Sequence, residues 1–188
     1  WGVDDQIELI GCAHEPLVDP SPAQMVGCEG FIGEFGPVSA KTADTMADAG
    51  IRIVSSMSIG INHVYVSALA QRGIITTNCP GYCSLDVAQH AAGLMLDLMR
   101  SITFSSREVL AGAWEPTGGY TAHRTQGQTI GLVFFGNIAR AMASIVQALG
   151  MNVVVWAPTK TREDLAQAGC TKAETLDELL AVSDVVSL

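Results

Sequence analysis

The chain has 188 residues, 48% of them hydrophobic and 15% charged, with a formal net charge of −9 and a pI near 4.7. That composition supports a sizeable core and excludes a disordered chain. The acidic balance excludes a non-specific nucleic-acid or anionic-membrane surface, and Asp97 and Arg100 interrupt the longest apolar run, near 85–104, before it reaches membrane-spanning length.

Trp1 is not a natural start residue, and no signal-peptide pattern is expected at this end. A first strand is expected at 7–12 (IELIGC) and a second at 28–33 (CEGFIG), followed by a helix at 39–49. A strand at 51–56 (IRIVSS) runs into SSMSIGINHV and a helix at 62–72, with Gly60 at the turn. Backbone N–H groups at such a turn can capture a carboxylate, although most strand–helix turns bind nothing. A strand at 74–77 then meets NCPGYCSLDVAQHA (78–91), in which Pro80-Gly81 ends the strand and Tyr82 projects from the loop. Ser84 is placed to cap a helix running over 84–111, with Asp86 in its first turn. His90 falls inside that helix, where a lone histidine is more often packed or solvated than catalytic. The Gly- and Thr-rich stretch EPTGGYTAHRTQGQ (115–128) reads as a connection between lobes. Beyond it come a strand at 129–134, a helix at 137–149, a strand at 152–156, helices at 161–168 and 174–182, and a strand at 184–188. Alternation of this kind argues for an α/β protein with two parallel-sheet lobes, near 1–98 and 99–188, with helices on the sheet faces.

The five cysteines, Cys12, Cys28, Cys79, Cys83 and Cys170, are odd in number and scattered. Cys79 and Cys83 have no second ligand pair at zinc spacing, so no metal site is expected and the thiols read as free, in a reducing cytoplasm.

GLVFFGNIAR (131–140) follows a strand and opens a helix, which is where a dinucleotide-binding fold places G-x-G-x-x-G. Only the middle glycine, Gly136, is kept; Phe134 stands in the first slot and Ala139 in the third. Gly136 still allows close approach to a pyrophosphate, and the helix N-terminus still offers N–H groups. Phe134 puts a bulky side chain where the turn wants none. On the motif alone, a packing unit and a cofactor site both stay open. At the end of the next strand, where an acid normally holds the ribose hydroxyls, VVVWAPTKTRE offers Ala157 with Thr159, Lys160 and Arg162 just after. A missing acid with nearby cations suits a 2′-phosphate, hence NADP; the alternative is a solvated loop with ordinary surface cations.

Taken in order, these segments resemble the D-isomer-specific 2-hydroxyacid dehydrogenases, a family that includes D-lactate, glycerate and phosphoglycerate dehydrogenases and the C-terminal-binding-protein corepressors. The resemblance runs through GFIGEFGPVSAKT, SIGINHVYVSALAQRGIITTNCPGYCSLDVAQHAAGLMLDLMR, VLAGAW, GQTIGLVFFGNIARAMASIVQALGMNVVVWAP and TLDELLAVSDVVSL. It implies a flavodoxin-like substrate lobe and a partial Rossmann lobe, and hydride transfer between NAD(H) or NADP(H) and a small 2-oxo or 2-hydroxy acid. Carried over by position, the N–H groups of Ile59 and Gly60 bind the substrate carboxylate and Tyr82 helps close the pocket. Gly136, Asn137 and Ile138 face the pyrophosphate, with Ala157, Thr159 and Lys160 at the ribose end. The family's catalytic Arg and Glu–His pair match no residue here, so no catalytic residue is expected and the chain alone is expected to be inactive. His90 matches the family's helix histidine and reads as structural; neither it nor His123 stands in for the base. Phe134 and Ala157 depart from the family pattern, as do Asn62 and Tyr65 where acids are common in G-x-D-x-x-D. Relatives imply a homodimer. The rival readings are a non-catalytic relative that uses the fold for binding or assembly, and an unrelated Rossmann-like protein with no nucleotide site.

Overall fold

The computed structural model describes residues 7–11, 19–33, 37–114 and 122–188. Cys12, residues 34–36 and the 115–121 part of the expected connection lie outside them. The chain divides into two compact units, Trp1–Tyr82 and Cys83–Leu188.

In the first unit, a short 3-10 helix at Pro22–Gln24 precedes β1 (Gly30–Gly33), α1 (Ala40–Asp48), β2 (Ile53–Ser56), α2 (Val66–Gln71) and β3 (Ile75–Thr77). The strands form a parallel sheet in the order β1-β2-β3, with Phe31 opposite Val54 and Val54 opposite Thr76. Val54, Met46 and Leu69 are fully buried in one core cluster, so α1 and α2 cover the Val54 face. Ser39 caps α1 by accepting from the Thr42 N–H at 3.2 Å, as a serine before an apolar-periodic run should.

Two expectations are corrected in this unit. Residues 7–11 form no strand: Ile7, Leu9 and Ile10 are exposed, and alternating apolar side chains make a strand only where a sheet edge receives them. The helix expected from 62 begins at Val66, because the preceding residues are used elsewhere. Val64 bridges Val38 in parallel, with the Val38 N–H on His63 O (2.8 Å) and the Tyr65 N–H on Val38 O (2.9 Å).

The second unit contains α3 (Ser84–Arg100), α4 (Ile102–Leu110), β4 (Thr129–Val133), α5 (Asn137–Ala148), β5 (Asn152–Trp156), α6 (Arg162–Ala166), β6 (Thr171–Lys172), α7 (Leu176–Val182) and β7 (Val185–Ser187). Its parallel sheet has the order β6-β5-β4-β7, so the chain moves outward from β4 and then crosses back to β4's other edge. That reversal is the switch point at which open α/β sheets bind ligands, outside the carboxyl ends of the strands. Ala88, Ala92, Met95 and Met99 form the buried stripe of α3 and pack with Met142, Ala143 and Val146 of α5 against Ile130, Leu132 and Val155. Burying one such Leu or Ile side chain contributes about 1.5–3 kcal/mol. The other face of β4 is closed at Gly131, where a Cβ would lie 2.9 Å from Leu179 Cγ of α7 and closer still to Ser183 Oγ.

The single helix expected over 84–111 is two helices. Ser101 adopts a left-handed conformation (φ 53, ψ 40) between α3 and α4. The Asp97 carboxylate stabilises the break by accepting from both the Thr103 N–H (2.6 Å) and the Thr103 hydroxyl (2.8 Å). The backbone hydrogen bond to Thr103 is the largest cause holding the Asp97 carboxyl below its usual range. Strand β6 was not expected; at two residues it is too short for any periodicity to reveal.

Candidate functional site

Two strand-to-helix turns hold the residues singled out in the sequence, one in each unit. In the first, β2 ends at Ser56 and the chain runs through Met57–Ile61. Ser56 is buried and accepts the Ser58 N–H at 3.3 Å, while the Met57 N–H reaches Gly33 O at 3.2 Å. The segment after β3 grips the same turn: the Cys79 N–H donates to Ser58 O at 3.1 Å, and Asn78 Nδ2 donates to Ile59 O at 2.7 Å. The Ile59 and Gly60 N–H groups find no partner among the described residues. A Cβ at Gly60 would meet nothing within 4 Å, so close packing does not account for the glycine. Tyr82, expected to close a pocket, is 61% exposed at the end of this unit. Asn78 opens the NCPGY segment that belongs to the resemblance, directly after β3 and two residues before Pro80, and the resemblance assigns its side chain no role.

In the second unit β4 ends at Val133 and α5 starts at Asn137. Phe134 takes φ +71, the left-handed conformation that the first glycine of the fingerprint supplies without strain. The backbone therefore keeps the tight turn even though the side chain departs from it. The Phe134 N–H extends the ladder to Trp156 O (2.8 Å), and its ring lies against Trp156 with centroids 5.5 Å apart. The ring is 59% exposed, whereas Phe135 is buried and carries the Arg140 guanidinium 5.1 Å above its centroid. Gly136 is the N-cap of α5, offers no side-chain cap, and would have open space around a Cβ. The first intrahelical bond runs from the Arg140 N–H to Gly136 O (3.0 Å). The N–H groups of Asn137, Ile138 and Ala139 thus precede the ladder and are uncapped among the described residues.

At the end of β5 the Ala157 side chain is buried in the core, and its carbonyl accepts the Lys160 N–H at 3.0 Å. Thr159 is exposed and Lys160 half-buried. Arg162 Nη2 is paired with Glu174 Oε1 at 2.5 Å, and Lys172 lies 3.7 Å from the other oxygen of that carboxylate. Thr161 and Asp164 form a capping box at the start of α6. The Thr161 N–H is the main cause of a lowered Asp164 pKa, with lesser contributions from the Thr161 side chain and from the charges of Lys160 and Arg140. His90 and His123 are both exposed; the His123 N–H bonds Met99 O (2.8 Å) and its carbonyl accepts from Arg100 (3.2 Å). Cys28, Cys79, Cys83 and Cys170 are free thiols, and burial raises the pKa of Cys170. Among the described residues no cluster of His, Cys, Asp and Glu could hold a metal ion, and no helix is long and apolar enough to cross a membrane.

Comparison with known proteins adds to this geometry. A family model described as the D-isomer specific 2-hydroxyacid dehydrogenase NAD-binding domain matches residues 92–188, more than half of the chain. The D-3-phosphoglycerate dehydrogenase of Archaeoglobus fulgidus is 32% identical over 76% of this chain and 27% of its own length. The (S)-sulfolactate dehydrogenase of Chromohalobacter salexigens is 36% identical over 73% of this chain and 44% of its own. The structure of D-lactate dehydrogenase from Aquifex aeolicus complexed with NAD and lactic acid superposes with a TM-score of 0.80, at 25% identity, over 90% of this chain and 50% of that one. The chain thus spans less than half the length of these two curated relatives. The turn geometry at Phe134–Ala139, the β6-β5-β4-β7 order and the family match agree, and the chain belongs to the D-isomer specific 2-hydroxyacid dehydrogenases.

Proposed function

We propose that the chain is the substrate lobe (1–98) and part of the nucleotide lobe (99–188) of an enzyme that passes a hydride between a nicotinamide coenzyme and a small 2-oxo or 2-hydroxy acid. Compactness counts α3 with the second unit, Cys83–Leu188, so the division at 98 is one of role rather than of packing. The observation that carries the reading is the α5 N-terminus: uncapped N–H groups at Asn137–Ala139 beside an open Gly136, at the carboxyl end of the central strand of a family member. There the residues fit a pyrophosphate, with Gly136, Asn137 and Ile138 donating or making room. The ribose end fits less well, since Ala157 is buried and carries no acid and the Phe134 ring lies over the end of β5. We place Thr159 and Lys160 at that end. Arg162, held by Glu174, is a weaker candidate. NADP(H) is therefore expected to bind at least as well as NAD(H). When bound, the coenzyme supplies or accepts the hydride. Ile59 and Gly60 hold the substrate carboxylate through their amides, and Tyr82 covers it. We assign no proton-transfer role to any of the described residues, since none matches the family's Glu–His pair.

We further place the protein in the cytoplasm, where free thiols persist, as a homodimer through the exposed apolar row of α3 and α4. A second reading, a non-catalytic relative used for binding or assembly, is favoured by the departures at Phe134 and Ala157. Calorimetric titration with NADH and NADPH, paired with turnover assays on pyruvate, hydroxypyruvate and glyoxylate, tests the proposal. Weak binding of both coenzymes, tightened by Phe134→Gly, without turnover by this chain is expected. Unchanged or weaker affinity in Phe134→Gly would make the loop purely structural.

A further inference from the structure

The turn after β2 owes its shape to groups outside itself. Ser58 C=O and the Ile59 N–H belong to one peptide unit, and Ile59 C=O and the Gly60 N–H belong to the next. A trans peptide is planar, with its carbonyl and N–H pointing in opposite directions, so holding the oxygen fixes where the hydrogen points. The Cys79 N–H holds the first oxygen at 3.1 Å and Asn78 Nδ2 holds the second at 2.7 Å. Both contacts come from the same two-residue segment. They therefore turn the Ile59 and Gly60 N–H groups to the same side, away from residues 78–79, as a two-donor nest for an anion.

Resting on the reading of this turn as the carboxylate site, we propose that Asn78 is a positioning residue for the substrate: its side-chain amide sets the Ile59–Gly60 peptide so that the Gly60 N–H faces the carboxylate. The division of labour is specific. The Cys79 contact is made by backbone and survives substitution, whereas the Gly60 peptide depends on a side chain. Asn78 is half-buried, and Ile59 O has no other partner among the described residues, so removing the amide frees that peptide to rotate. In Asn78→Asp the repulsion between a carboxylate and Ile59 O would drive the peptide to turn over, presenting its oxygen to the substrate side.

The test follows the Ile59 and Gly60 amide resonances of the full chain during titration with pyruvate, for wild type, Asn78→Asp and Asn78→Ala. Both resonances should shift in wild type. In each variant pyruvate should bind about tenfold more weakly, the free-state change should centre on Gly60 rather than Ile59, and NADH affinity should be unchanged. Wild-type pyruvate affinity in Asn78→Asp and Asn78→Ala would overturn the inference while leaving the carboxylate reading intact. No response of either amide in wild type would overturn the carboxylate reading and the inference with it. Asn78→Ala, which introduces no charge, keeps the test decisive should Asn78→Asp fold poorly.

Discussion

Phe134 holds a conformation that glycine adopts freely and a β-carbon does not, and that strain can be measured by comparing two substitutions at one position. Phe134→Ala removes the ring contact with Trp156, worth about 0.5–1.5 kcal/mol, and leaves a β-carbon at φ +71. The residual strain of that left-handed residue is about 1–2 kcal/mol. Phe134→Gly loses the same ring contact and relieves the strain, against about 0.4–1 kcal/mol for the greater freedom of glycine in the unfolded chain. Because the ring is more than half exposed, neither change opens a core cavity. Taking central values, alanine should destabilise by about 1 kcal/mol, and glycine should lie within about 0.5 kcal/mol of wild type, some 0.8 kcal/mol above alanine. That order reverses the usual one, in which alanine is the more stable within an element. Urea unfolding followed by circular dichroism reads the difference as about 0.4 M in midpoint, for a slope near 2 kcal/mol/M. An alanine variant as stable as the glycine variant, or more so, would refute the left-handed turn at 134.

Gly131→Ala should destabilise the second unit by about 1–3 kcal/mol, the range for overpacking, because its Cβ would collide with Leu179 and Ser183 on α7; thermal melting reads the change. Asp97 has a folded pKa below its ordinary 3.8, so its contribution is present above that value and is lost as pH falls through the folded pKa. Asp97→Asn should therefore melt lower than wild type at neutral pH, with the gap closing on acidification below the carboxylate range; a gap independent of pH would reject the role given to Asp97. Leu94, Leu98, Ile102, Val109 and Leu110 are more than half exposed along α3 and α4, and sedimentation velocity across a concentration series should show a dimer or larger species. A monomer throughout that series would count against the proposed assembly.

The strand and helix alternation, both turns and the αβ crossovers were legible in the sequence, because buried parallel strands are short β-branched runs and the helices carry amphipathic spacing and caps. Ser39, Thr161 and Thr175 each cap the helix that follows, whereas Ser84, the cap expected from the sequence, is the first residue of α3, whose N-cap Cys83 provides no side-chain cap. What escaped depends on partners distant along the chain or on an unusual backbone angle. Ser101 carries no local signal for a left-handed break; it is held there by Asp97 and Thr103 on either side of it. Residues 62–65 look helical, but Val64 is taken up by a bridge to Val38. Gly136 marks the turn between β4 and α5 in the sequence, while the glycine-like φ of Phe134 is invisible to any residue pattern. The hydrogen bond from Asn78 to Ile59 O is hidden for the same reason, since it joins groups nineteen residues apart.

The crossing from β6 back to β4 sets a timetable for synthesis. One neighbour of β4 follows promptly, since Ile130 pairs with Val153 on β5, but the other edge waits for β7, where Ile130 faces Val185 and Leu132 faces Ser187. Asp184 completes that edge, accepting the Thr129 N–H at 2.7 Å across a separation of 55 residues. At about 5–20 residues per second, the ribosome leaves that edge of β4 bare for roughly 3–11 s. During that interval the run TIGLV presents an unpaired, largely apolar strand edge, the kind of surface on which nascent chains pair wrongly with one another. The β4 edge is therefore the paired edge of this sheet that stays open longest during synthesis, until Asp184 and β7 emerge to pair with it.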